Sequence, residues 1–236
     1  MTKRAERPTW DTYWLLEGIS LLVLNALGGL FVIGEENVPP LGPVLMVSNH
    51  VSYLDPVAIG DASPRRVVFM AKADLFKIKL LGFLLRGVDS FPIKRGEADR
   101  AAFKNTLSML GEDRVLCIFP EGTRSSTGEI GEAEAGAGVF ATRTGCPVVP
   151  VYVHNSNRML SHGGKLHRGF PITVTFGSPF ILPKTMDREA AGKELMRAIV
   201  RTKEAFEQAP GVYSRRIWPH WIKKLPEGSR AIKRRG

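Results

Sequence analysis

Cysteine is scarce in this sequence. Two occur in 236 residues, Cys117 and Cys146. Two cysteines build neither a disulfide framework nor a zinc-ligand spacing, so no metal is expected. Each lies among apolar neighbours, in "VLCIF" and "TGCPVVP", and reads as a small buried thiol. A reducing, cytosolic face is the default setting for such a chain. No G-x-S-x-G segment is present, so the strand-to-helix elbow of serine hydrolases is missing. Repeats and low-complexity segments are absent as well. Acids are outnumbered, 23 against 33 basic residues, for a formal net charge of +10. That excess calls for an anionic partner, either nucleic acid or an acidic membrane surface. At 44% hydrophobic and 24% charged residues the chain is globular, not disordered. Its length suits one good-sized domain, with room for a helical attachment.

The charge is unevenly spread. The tail from Gly211 to Gly236 carries eight basic residues and one acid, with Trp218 and Trp221 set among them and Lys223 and Lys224 beside them. Tryptophan mixed with Lys and Arg is the composition of a membrane interface. Near an anionic surface each basic residue contributes about 1 kcal/mol. A nucleic-acid patch or a solvated tail is the competing reading.

At the other end, "WLLEGISLLVLNALGGLFVIG" runs from Trp14 to Gly34. A spanning helix needs about 20 mostly apolar residues, and Glu17, Ser20, Asn25 and the internal glycines interrupt this one. At 100° per residue, Glu17, Ser20, Asn25 and Gly28 share one half of the wheel. Leu16, Ile19, Val23, Ala26, Leu27 and Leu30 occupy the other, and Leu21 and Val32 break the polar side. The pattern predicts a helix lying in one leaflet, with Trp14, Leu16, Leu27 and Leu30 touching lipid, rather than a clean span. Packing on the domain's own core is the alternative. No small-residue cleavage site follows the run, so it reads as a retained segment.

From about Gly42 the pattern becomes α/β. Short apolar runs at 43–48, 66–71, 87–93, 115–120, 148–153 and 172–177 alternate with helical stretches near 97–111, 136–144 and 187–208. In the first helical stretch Phe103, Leu107 and Leu110 share a face. In the last, Leu195, Met196, Ile199 and Val200 do, and Asp187 is placed to cap the start. Such alternation predicts a mostly parallel sheet flanked by helices. The expected organisation is a membrane-associated helical segment over 1–41, an α/β domain over 42–210 and the basic tail over 211–236. In such sheets the chemistry collects at the carboxyl ends of strands.

Four loops at predicted strand ends carry candidate chemistry. "VLMVSNHVSYLDP" places His50 after a strand and Asp55 five residues later. In a regular helix two such residues point about 140° apart, but a turn can bring them together. Asp55 before Pro56 also reads as a helix N-cap. "IFPEGTRSS" offers Arg124, a side chain suited to bidentate phosphate recognition. Its Glu121 is placed to orient that arginine or to receive a ligand hydroxyl. "SFPIKRG" adds Lys94 and Arg95, and "MAKADLF" adds Lys72. Together they describe a phosphate-bearing substrate beside a general base, although each cation alone reads as a surface charge.

These segments resemble the glycerolipid acyltransferase family, especially its 1-acylglycerol-3-phosphate acyltransferases. The family's N-H-x4-D motif matches Asn49-His50 through Asp55, and its F-x-x-R-type segment matches Phe91 to Arg95. F-P-E-G-T-R-S matches Phe119 to Ser125 in full, and V-P-V matches Val149 to Val151. The resemblance covers roughly residues 42 to 185 and includes a lysine at Lys72. It departs at "GEAEAGAGVF", where Glu134 and Ala135 stand in the neighbourhood of a common lysine. The resemblance implies transfer of a fatty acyl group to the free hydroxyl of 1-acylglycerol-3-phosphate. The donor would be a thioester of coenzyme A or acyl carrier protein, and no bound cofactor is needed. His50 would be the general base and Asp55 its orienter. Lys72, Arg95, Glu121, Gly122, Thr123 and Arg124 would form the phosphate site. It also implies a monotopic or peripheral protein on the cytoplasmic face of the cell membrane, with no nucleic acid as partner. Two rivals remain: the same chemistry on another lysolipid or amino-acid lipid, and a non-catalytic protein of membrane surfaces or nucleic acid.

Overall fold

The computed structural model describes residues 12–87, 90–93, 108, 110, 113–134, 136–208, 214–217 and 219. Its centre is an eight-stranded sheet. In chain order the strands are β1 (Leu30–Ile33), β2 (Val44–Ser48), β3 (Val67–Lys72), β4 (Phe91–Ile93), β5 (Val115–Ile118), β6 (Val148–His154), β7 (Ile172–Phe176) and β8 (Ser214–Arg215). Across the sheet they run β4-β3-β5-β2-β6-β7-β1-β8. The five strands from β4 to β6 are mutually parallel, whereas β7 runs against β6 and β8 against β1. Every residue of β2, β5 and β7 is buried. That is why β2 and β5 read as apolar runs, "VLMVS" and "VLCI": helices cover both faces of the sheet.

The helices are α1 (Thr12–Leu27), α2 (Asp55–Ala62), α3 (Lys79–Gly87), α4 (Ala137–Thr144), the one-turn α5 (Ser156–Met159) and α6 (Arg188–Gln208). One core cluster joins α1 and α2 to the sheet through Leu21, Leu24, Met46, Ile59 and Val149. The other joins α4 and α6 through Leu45, Val47, Ala141, Leu195 and Ile199. Asp187 caps α6 as expected, its Oδ2 accepting the N–H groups of Glu189 and Ala190. Apart from Ser108 and Leu110, the stretch 97–111 lies outside the described residues.

The N-terminal apolar run departs from the expectation of one helix. Helix α1 stops at Leu27, where Gly28 and Gly29 both return their N–H to Leu24 O and Gly29 takes φ 101°. A glycine in that conformation ends a helix cheaply. Leu30 then enters β1 and is fully buried against β7. Leu27 is buried as well. Neither residue contacts lipid; both belong to the core. Trp14 and Leu16 are half-buried. The outward stripe is instead Leu15, Ile19, Leu22 and Val23, which are 64%, 51%, 72% and 47% exposed.

The polar half of the wheel faces inward. Glu17 is buried, the Ser20 hydroxyl donates to Asp61 Oδ1 at 2.8 Å, and Asn25 donates to Arg216 O at 2.9 Å. Arg216 is buried too, donating to Ala62 O and pairing with Glu35. It is thus an internal tie, not a surface cation of the tail. Residues 30–33 and 214–215 complete the sheet, so it recruits chain from both sides of the 42–210 division. Among the described residues no helix is long and apolar enough to cross a membrane.

Candidate active site

Strands β2 and β5 lie side by side in the middle of the sheet and point the same way. The chain leaves β2 through α2 towards β3 and leaves β5 through α4 towards β6, on opposite faces and in opposite directions. A crevice opens where such crossovers diverge, at the carboxyl ends of the strands. His50 follows β2 there, and the Phe119–Ser125 segment follows β5.

The turn after β2 folds His50 and Asp55 together. His50 Nδ1 lies 2.7 Å from Asp55 Oδ2. The same oxygen accepts the backbone N–H of Val51 at 2.7 Å and of Ser52 at 2.8 Å. Asp55 is therefore not a forward cap. It is the first residue of α2, and its carboxylate reaches back to satisfy the turn that precedes the helix. The imidazole is 14% exposed and the carboxylate 0%. A buried carboxylate oxygen that already takes two backbone N–H groups can only accept from the imidazole, so the proton sits on Nδ1 and Nε2 is left to accept one.

The two motifs are bonded to each other. Glu121 Oε1 accepts the backbone N–H of His50 at 3.1 Å, and its Oε2 accepts that of Gly131 at 3.2 Å. Ser125 N–H donates to His50 O at 2.7 Å. The Phe119 ring stacks on the imidazole with centroids 4.0 Å apart and planes 20° apart. Burial raises the pKa of Glu121, and the two N–H donors oppose that shift. Glu121 makes no bond to Arg124; in place of the expected orienting contact it clamps the turn that carries His50.

Arg124 lies over the Tyr53 ring, 3.6 Å from its centroid. Its Nη1 is buried without a hydrogen-bond partner. A guanidinium positioned by an aromatic face, with a donor left over, is ready for an oxyanion. Gly122 allows the tight turn at φ 65°, and any Cβ there would overlap the Glu134 carboxyl group. Glu134 thus presses on the loop at the point where the sequence departs from the family pattern. Thr123 is exposed in the same loop.

Lys72 ends β3 on the same edge of the sheet, but its Nζ is 3.0 Å from Asp74 and is 53% exposed. Its expected role as a phosphate ligand requires leaving that pair. Arg95 lies outside the described residues, as do Trp218, Trp221, Lys223 and Lys224. Among the described residues no group of His, Cys, Asp or Glu is arranged to hold a metal ion.

Three further contacts were not legible as motifs. Asn49 clamps β6, accepting the N–H of Val153 at 2.8 Å and donating to its O at 3.1 Å. Ser52 Oγ donates to Leu160 O at 3.1 Å. The hydroxyl of Ser156 donates to Asp55 Oδ1. The apolar strand ending in "HNSNR" marked this segment only as a strand end.

A family model described as acyltransferase matches residues 29–154. A 1-acyl-sn-glycerol-3-phosphate acyltransferase of Bacillus subtilis is 29% identical over 159 residues, covering 67% of this chain and 77% of that protein. One from Saccharomyces cerevisiae is 33% identical over 155 residues, covering 63% of this chain and 51% of its own. The crystal structure of the 1-acyl-sn-glycerophosphate (LPA) acyltransferase PlsC from Thermotoga maritima superposes with a TM-score of 0.69 at 22% identity. That match covers 81% of this chain and 79% of the other, a likeness of fold.

Proposed function

The chain belongs to the acyltransferase family, and from that premise we propose that it transfers a fatty acyl group from a thioester to the free hydroxyl of 1-acylglycerol-3-phosphate, giving phosphatidic acid. The observation that carries the reading is the 2.7 Å bond from His50 Nδ1 to a buried Asp55, set beside a guanidinium with an unused donor. His50 Nε2 takes the hydroxyl proton as the oxygen attacks the thioester carbon. The tetrahedral adduct collapses, the carbon–sulfur bond breaks, and the imidazolium returns the proton to the departing thiolate. General-base assistance of this kind is worth about 10²–10⁴ in rate. Asp55 holds the tautomer and stabilises the imidazolium. Arg124 grips the acceptor phosphate and so places the hydroxyl. Lys72, at the end of β3, adds charge to the same edge once it leaves Asp74.

The donor is acyl-coenzyme A or acyl-acyl carrier protein. The acceptor's existing chain stays in the bilayer, since drawing it into water would forfeit about 0.8 kcal/mol per CH₂. The exposed stripe of α1 and the basic tail fit a monotopic or peripheral enzyme on the cytoplasmic face of the cell membrane. Glu134 against Gly122 favours a second reading, a different lysolipid or amino-acid lipid as acceptor. The test is thioester consumption with a panel of lysolipids and identification of the product by lipid mass. Phosphatidic acid as the main product supports the first reading; a product from another acceptor moves the assignment to the second.

A further inference from the structure

Asp55 is held at both oxygens, and the donors come from different parts of the chain. Oδ2 takes His50 Nδ1 and the N–H groups of Val51 and Ser52. Among the described residues the one donor to Oδ1 is the hydroxyl of Ser156, 101 residues away. Ser156 and Asp55 are both fully buried, so water does not replace that donor. The terminal torsion of an aspartate is broad, and a carboxylate held at one oxygen can turn in its plane. A donor on the second oxygen stops that rotation.

The backbone is built to deliver this hydroxyl. Strand β6 pairs with β2 up to Val151 and Ser48, and Asn49 clamps Val153 on both sides. Asn155 then turns the chain at φ 64°, an uncommon value for a residue with a side chain. Ser156 starts α5 directly after it, and Ser52 Oγ fastens the far end of that turn at Leu160. Three ties thus bind this segment to the catalytic turn. Two of them are to backbone groups and set register; the third ends on the carboxylate that touches the imidazole.

We propose that Ser156 is a positioning residue for the reaction, fixing the plane of the Asp55 carboxylate so that His50 presents Nε2 to the acceptor hydroxyl. The inference rests on the reading of His50 as the base. It gives Ser156, which lies in none of the matched motifs, a role that acts through Asp55 and not on the substrate.

Two measurements on the full chain test it. In the first, the imidazole of His50 is titrated by NMR, with no substrate present. Removing the donor in Ser156→Ala leaves Asp55 more basic and its hold on imidazolium stronger, so the His50 titration moves up, by roughly half a unit or more. In the second, acyl transfer is followed against pH. Ser156→Ala loses about tenfold or more in kcat with KM for either substrate within about twofold, and the acid limb of the profile moves to higher pH. Ser156→Thr recovers most of the rate, and Ser156→Ala adds no further loss to Asp55→Asn. An unmoved His50 titration, or a rate loss that is additive with Asp55→Asn at an unchanged pH profile, overturns the proposal and leaves Ser156 a packing residue. If Ser156→Ala does not fold, Ser156→Cys, a weaker donor of similar shape, takes its place. An intermediate shift supports the proposal and a wild-type titration refutes it. A wild-type chain that transfers no acyl group defeats the functional reading, while the NMR titration still decides on Ser156.

Discussion

The side-chain carboxylate of Glu121 accepts the backbone N–H of His50 at 3.1 Å, across 71 residues of chain. One oxygen holds the His50 turn after β2 and the other holds Gly131 beyond the Arg124 loop. His50 and the Arg124 loop are therefore positioned by one side chain. Glu121→Ala releases both and is expected to lower kcat about 10–10²-fold, the range a small misplacement of reacting groups produces. Glu121→Gln keeps one acceptor oxygen and recovers part of the loss. Equal rates for Glu121→Ala and wild type contradict the clamp.

Arg124 has a buried Nη1 without a partner and an aromatic support beneath it. Arg124→Ala is expected to raise the acceptor KM about tenfold or more, because a charged donor to the phosphate is lost. Arg124→Lys recovers only part, since an ammonium lacks the planar fork. Steady-state kinetics against acceptor concentration decide it, and an unchanged acceptor KM removes Arg124 from the phosphate site.

Helix α1 is apolar on both sides: Leu21 and Leu24 pack into the core beside the buried Glu17, while Leu15, Ile19, Leu22 and Val23 face outward. Each leucine taken from water into lipid contributes about 1.5–3 kcal/mol. The pair Leu15→Glu and Leu22→Glu is expected to cut partitioning onto anionic vesicles at least about tenfold. Turnover of a short-chain, water-soluble acceptor stays near wild type. Undiminished vesicle binding contradicts the stripe as the lipid contact.

Asp61 is buried beside Glu17 under α1, and burial raises its pKa well above the usual carboxylate range. The unfolded chain releases that proton near pH 4. From there up to the raised value the folded state holds the extra proton, so stability falls as pH rises; below about pH 4 the contribution is complete. Asp61→Asn keeps an acceptor for the Ser20 hydroxyl and does not ionise. Its Tm is expected to match wild type near pH 4 and to exceed it by several degrees at pH 8, where about 1 kcal/mol corresponds to about 2–4 °C. Parallel Tm curves across this range contradict the assignment.

The sheet was legible because its central strands are buried on both faces, which leaves runs such as "VLMVS" and "VLCIF" unmistakably apolar. The His50–Asp55 pair was legible as two residue types at a strand end, but their bond depends on a turn that spacing alone does not specify. The place of Leu30 is not legible, because a leucine reads alike in a membrane helix and in a buried strand. The Gly28-Gly29 pair was the available stop signal. The inward polar face of α1 was hidden for a different reason. Its partners, Asp61 and Arg216, lie 41 and 191 residues from Ser20 and Asn25, a pairing no local pattern records. Ser156 was invisible on the same ground: one serine after a strand carries no signal until Asp55 is beside it.

The proposed mechanism turns on His50 Nε2 as the base for acyl transfer to a lysolipid phosphate. The most direct measurement is the rate of phosphatidic acid formation from acyl thioester and 1-acylglycerol-3-phosphate by His50→Ala beside wild type, at equal folded and vesicle-bound protein. The variant is expected to fold, to bind vesicles as wild type does, and to lose at least about 10²-fold in rate. Near-wild-type turnover by that variant would contradict the mechanism.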